Sequence, residues 1–131
     1  RDDRVKSIEE LKHCTDLVRI DVTSAEQMAA YHREYDRPIN SGCREDVYLY
    51  KGAMSTEMVE IMLNYIREKY AVENVTVLEQ GSSDLFQREP DKGCELIIPI
   101  ILMKTTYEEL AKIANEFSPY GVEVQAVVLQ E

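Results

Sequence analysis

Glu95-Leu96-Ile97-Ile98-Pro99-Ile100-Ile101-Leu102-Met103 is nearly continuously apolar, and the reading of this stretch decides the fold. A strand with one wet face alternates polar and apolar side chains. An unbroken run signals a strand buried on both faces. Pro99 complicates the pattern, because proline cannot donate to a ladder. Inside a central strand it calls for a bulge, a break or an edge position. The run is also too short to span a bilayer.

Working outward, Thr106-Tyr107-Glu108-Glu109 has the S/T-x-x-E spacing that caps a helix start. Leu110, Ile113, Ala114 and Phe117 share one side of the helix it predicts, about 107–118, and Pro119 and Gly121 end it. Val122 to Leu129 opens with alternation and predicts a closing strand. Upstream, residues 74–78 and 46–50 are short, branched or aromatic, and strand-like. Ser55 offers a cap for a helix over 56–70. Its apolar face combines Met58, Met62 and Tyr65 with Val59, Leu63, Ile66 and Tyr70. From Asp46 the order is therefore βαββαβ, the ferredoxin-like plan of four antiparallel strands with helices on one face.

The N-terminal part adds two more capping spacings, Ser7 to Glu10 and Thr23 to Glu26, which predict helices at about 8–14 and 24–35. The alternation of Leu17 to Val22 predicts a strand between them. Residues 1–45 thus read as a helix-strand-helix extension packing on a ferredoxin-like domain of residues 46–131. If residues 17–22 join the same sheet, the alternative is a mixed three-layer, thioredoxin-like α/β arrangement.

The layout of residues 46–130, with its long loop after the second strand, resembles the ferredoxin-like regulatory trimers of the nitrogen-signal and divalent-cation-tolerance type. Ser118-Pro119-Tyr120-Gly121-Val122 is similar to the Pro-Tyr turn before the last strand of the cation-tolerance family. The resemblance implies a regulatory, self-associating module. It departs from the family in residues 1–45 and in a long loop without a nucleotide-binding glycine or basic cluster. No ligand-binding residue is therefore carried over.

The 131 residues suit one compact domain, or such a domain with an extension, and carry a net charge of −10 from 25 acids and 15 bases. That balance disfavours nucleic acid and anionic membranes as partners. Cys14, Cys43 and Cys94 are odd in number and widely spaced, which predicts reduced thiols and a cytoplasmic setting rather than a disulfide framework. The chain starts Arg1-Asp2 without Met or an apolar signal stretch, the mark of a processed or excised N-terminus. His13, Cys14, His32, Cys43 and Cys94 show no metal-ligand spacing, so no metal and no cofactor is expected. Cys43 is the most exposed thiol by its loop context, with only Arg44 to activate it. No catalytic set is expected.

Two stretches are the candidate partner or ligand surfaces. Lys51, Ser55 and Thr56 stand at a strand-to-helix turn, where free backbone N–H groups suit an anion. Ser82, Ser83, Asp84, Leu85, Phe86 and Arg88 lie in the long loop 81–93, expected to project into solvent with Leu85 and Phe86 at its tip. The function expected first is a non-enzymatic regulatory or assembly module, acting through oligomerisation and a protein partner. The alternative is a small-molecule-binding or enzymatic domain with its site near residues 51–56 and 81–93.

Overall fold

The computed structural model describes residues 2–14, 17–31, 46–83 and 94–130, with Asp46 and Cys94 described by backbone alone. Within them α1 spans Ile8–Leu11, β1 Arg19–Ser24, α2 Ala25–Ala29 and β2 Asp46–Tyr50. Then follow α3 Thr56–Lys69, β3 Val75–Leu78, β4 Cys94–Ile101, α4 Tyr107–Phe117 and β5 Glu123–Gln130.

The helix starts follow their caps. Ser7 Oγ accepts from Glu10 N–H, and the Glu10 carboxylate accepts from Ser7 N–H, so both halves of that box form. Thr106 caps α4 through Glu109 N–H at 3.1 Å. The cap of α2 is Ser24 and not Thr23: Ser24 Oγ accepts from Gln27 N–H, while Thr23 is buried in β1. α2 ends at Ala29, and the expected positions His32 and Tyr35 fall outside the described residues. Ser55 Oγ accepts from Met58 N–H at 3.1 Å and starts α3. Ser55→Ala should cost about 1 kcal/mol in denaturant unfolding and leave the fold unchanged. A loss near zero would show that the cap is not what starts the helix.

The antiparallel ferredoxin-like plan is overturned. All five strands are parallel, in the order β1-β5-β4-β2-β3. β3 and β4, expected to pair directly, are separated by β2. The thioredoxin-like form of the alternative fails on the same ground, although its condition is met: β1 joins the sheet beside β5. The fold implied by the likeness to the regulatory trimers is therefore not the one found, although Ser118–Tyr120 does form a tight 3-10 turn leading into β5. The near-continuous apolar runs are the signature of parallel strands covered on both faces. In β5 all six residues from Val124 to Leu129 are buried.

Helix placement follows from handedness. β2 to β3 steps toward one edge of the sheet, and β4 to β5 steps toward the other. Right-handed crossovers then put α3 and α4 on opposite faces. Val59, Met62, Leu63, Tyr65 and Ile66 of α3 pack on Val47, Leu49, Ile97, Val127 and Leu129. Leu110, Ile113 and Phe117 of α4 pack on Tyr48, Tyr50, Leu96, Ile98, Ile100, Val124, Ala126 and Val128, with Val5 and Leu11 in the same core.

The N-terminal segment is stitched to the start of α4. Val5 N–H donates to Thr105 O at 2.8 Å and Met103 N–H to Val5 O at 2.7 Å. Asp3 takes Tyr107 N–H on its carbonyl and Glu108 N–H on its carboxylate, both at 3.0 Å. A carboxylate at a helix N-terminus is favoured by the free N–H groups and the helix dipole.

Pro99 neither breaks β4 nor lies at an edge: β4 is the middle strand and is continuous. The reason is local. Lys51 N–H donates to Leu78 O on β3 at 2.8 Å, so by alternation Tyr50 turns its backbone toward β4. With Leu49 opposite Ile97, the next donor in the parallel ladder would come from residue 99. Proline has no N–H to give. The β2–β4 ladder stops at Ile97, and β2 turns away at Lys51, while β4 continues beside β5 as far as Ile101. The proline thus marks where the two middle strands part.

Candidate functional site

The parting of β2 and β4 opens a cleft at the carboxyl ends of the strands. From these two neighbours the chain winds in opposite directions, so this is the topological switch point of the sheet. In open α/β sheets ligands bind in the crevice at that place. Pro99 and Ile98 of β4 form the floor together with Ile113 of α4, in a cleft of about 150 Å³. Gly52, Ala53 and Met54 form the wall where β2 turns toward α3, and Lys104, Thr105 and Glu109 form the facing wall. Gly52 holds φ +56°, and a Cβ there would meet the Tyr50 ring at 3.7 Å and Pro99 Cγ at 3.9 Å. The space is ordinary; the left-handed backbone is what suits glycine.

Tyr50 is the central polar side chain. It is 8% exposed, and its ring meets Phe117 edge-on, with centroids 6.4 Å apart. Its hydroxyl has no hydrogen-bond partner among the described residues. Burial raises its pKa, and the nearby carboxylates of Glu116, Glu109 and Glu79 raise it further. The phenol therefore stays neutral and available both to donate and to accept. Among the charges around it, Lys51 pairs with Glu79 at 3.5 Å. The Glu116 carboxylate takes Gly81 N–H at 3.3 Å and Ser83 N–H at 3.1 Å. Glu109 and Lys104 line the cleft with opposite charge and without an ion pair to each other.

The structure brings several expected site residues to this end of the sheet and gives most of them structural work. Lys51 lies at the rim. Ser82 closes the turn after β3, its hydroxyl accepting from Glu79 N–H at 3.0 Å and donating to Glu79 O. Ser83 is anchored by Glu116 on α4. Ser55 is occupied as a cap, and Thr56 is the exposed first residue of α3. Asp84, Leu85, Phe86 and Arg88 lie outside the described residues, as does Cys43. Tyr50, Pro99 and Glu109 were missed as site residues. The signal for them was the interrupting proline in a run otherwise suited to a central strand.

A second polar cluster lies at the β1 edge of the sheet, beside the C-terminus of α3. The Asp21 carboxylate of β1 accepts from Tyr65 Oη at 2.7 Å, Tyr70 Oη at 2.8 Å and Lys69 Nζ at 2.7 Å. Lys69 also donates to Tyr65 Oη at 2.9 Å, and Tyr31 meets the Tyr65 ring edge-on at 4.9 Å. Burial pushes the Asp21 pKa up, but hydrogen bonds from Lys69, Tyr65 and Tyr70 outweigh it and hold the carboxyl below its ordinary value. Burial and Asp21 hold Tyr65 and Tyr70 above theirs. A carboxylate held ionised beside phenols held neutral is a tether between β1 and α3, not a poised acid–base pair.

Cys14 is half-buried beside a small apolar pocket formed with Leu17, Ile98, Tyr107, Leu110 and Val124. Among the described residues no three of His, Cys, Asp and Glu converge as metal ligands. Nor is any helix there long and apolar enough to cross a membrane. The fold and cleft define a three-layer α/β protein with a switch-point crevice. No family model matches the chain, and neither does any curated protein or solved structure.

Proposed function

We propose that the chain is a small-molecule-binding domain whose site is the cleft between β2 and β4. The observation that carries this reading is Tyr50, which lines the crevice at the switch point and whose hydroxyl has no hydrogen-bond partner among the described residues. The ligand is a small polar molecule, because the floor is apolar and the walls offer a phenol, Thr105, Lys104 and Glu109. Highly charged phosphates are disfavoured by Glu79, Glu109 and Glu116 around the phenol.

The test is a thermal-shift screen of amino acids, sugars, amines, nucleotides and inorganic phosphate, followed by titration of any hit. Tyr50→Phe should weaken a hit by about tenfold, the loss of one hydrogen bond in a dry site. Ala53→Arg, at the exposed wall, should block it. A screen without shifts, or hits indifferent to both variants, would overturn the reading.

The second reading is a non-enzymatic regulatory or assembly module that works by self-association or through a protein partner. An open sheet face is not its ground, since helices cover both faces. A different observation supports it: Val18, just before the edge strand β1, is 61% exposed, and Val22 within it is 37% exposed. Both readings carry a cytoplasmic setting and no nucleic-acid partner, on the strength of the widely spaced cysteines and the net charge of −10.

A further inference from the structure

The edge of β1 carries its own complement. Val18 N–H donates to Val124 O on β5 at 2.8 Å. Val124 O therefore faces β1, as by alternation does Ala126 O, and with Asp21 opposite Val127 the parallel ladder turns the backbone of Arg19 and Asp21 toward β5 and that of Ile20 and Val22 outward. Among the described residues no strand lies on that outer side. Such an edge presents free N–H and C=O groups to another chain.

A second copy could pair there antiparallel about a two-fold axis. The hydrogen-bonded positions must be outward-facing on both copies, so the axis has to pass through a residue and not between two. Centred on Arg19 or Asp21, the axis sets identical charges opposite each other. Centred on Ile20, it sets Arg19 opposite the second copy's Asp21, twice, as non-hydrogen-bonded pairs, whose side chains stand closest. It also sets Val18 opposite Val22, twice, with Ile20 facing Ile20 as the hydrogen-bonded pair. Opposite charges across strands stabilise and like charges destabilise, so the charges select this register.

Burial agrees with it. Ile20 packs half-buried against the α4-side core, Val22 follows it exposed on the same face of β1, and Val18 is exposed just before the strand. Two copies would join six branched side chains into one patch. Arg19 is exposed and without an ion pair among the described residues. The other edge behaves differently. β3 has four residues, and self-pairing about Thr76 sets Glu73 opposite Glu79 across the axis.

We propose that the chain forms a two-fold dimer through antiparallel β1–β1 pairing centred on Ile20, giving one continuous sheet of both copies. The proposal gives the assembly reading its surface and rests on that reading alone, independent of the cleft.

The test is sedimentation equilibrium of the full chain with its variants. The wild type should dimerise. Arg19→Glu, which sets a second carboxylate opposite Asp21 at both pairs, should raise the dissociation constant by about tenfold or more, as should Val18→Lys. With the native cysteines replaced by alanine, Ile20→Cys should form an intermolecular disulfide under mild oxidation, and Arg19→Cys should not. If Ile20→Cys fails to fold, Val18→Cys with Val22→Cys reports the same register. A wild type that stays monomeric at high concentration would overturn the proposal. So would a dimer indifferent to both edge variants, or one cross-linked through Arg19→Cys instead. Ligand titration of the Arg19→Glu chain keeps the two ideas apart: binding retained in a monomer leaves the cleft standing while the dimer question is decided separately.

Discussion

Phe117→Ala should lower stability by about 3–5 kcal/mol, the cost of deleting a fully buried aromatic ring. Phe117 is the last residue of α4 and is inaccessible to solvent. Its ring meets the Tyr50 ring edge-on, which adds a specific aromatic contact to the area it buries. Nearby Leu110 and Ile113 are held by the helix and have little room to fill the gap. The same substitution loosens the ring beneath the crevice, so any hit of the ligand screen should weaken as well. Urea unfolding measures the first effect and titration the second. A loss below about 1 kcal/mol would mean that α4 docks without this anchor. Leu63→Ala on the other face should cost about 2–5 kcal/mol by the same mechanism.

Asp21→Asn should cost about 2–3 kcal/mol, since it strips charge from the acceptor of two phenols and an ammonium. The Asp21 side chain is only 14% exposed, so water does little to replace it. The pH dependence has a definite sign. The folded carboxyl titrates below its ordinary value of 3.8. Its contribution is present at neutral pH and is lost as the pH falls through that depressed value. Lys69, Tyr65 and Tyr70 are shifted upward. Their contribution is complete below about pH 10, the ordinary range of these groups, and is lost as the pH rises beyond it. The wild type should therefore lose stability on both limbs, and Asp21→Asn should flatten both. The melts belong at low protein concentration, where self-association adds nothing. A variant with the wild-type acid limb would show that Asp21 does not govern it.

The Asp21 tether illustrates what could be read locally and what could not. Tyr65, Lys69 and Tyr70 fall on adjacent ridges of α3, as their spacing dictates. That spacing reads as the margin of an apolar face. Nothing along the chain says that a carboxylate from β1, 44 residues before Tyr65, is its partner. Ser24 makes the same point on a smaller scale. Thr23-Ser24 offers two hydroxyls for one cap, and burial of Thr23 in β1 decides between them.

The starts of α1, α3 and α4, the faces of α3 and α4 and the approximate positions of all five strands follow from the sequence, because caps and hydrophobic periods act over three or four residues. Strand direction does not. The order strand, helix, strand, long connection, strand, helix, strand fits both an antiparallel split βαβ and a parallel sheet. The stretch from Glu79 to Gly93 is long enough for a crossover as well as for a loop. The apolar continuity of β4 pointed to cover on both faces, while the opening alternation of β5 pointed the other way. Pro99 pointed to an interrupted ladder but not to which neighbour it faced. Only the packed sheet decides that. It places residue 99 against the end of β2, and there the missing N–H frees two neighbouring strands to part and leave the cleft between them.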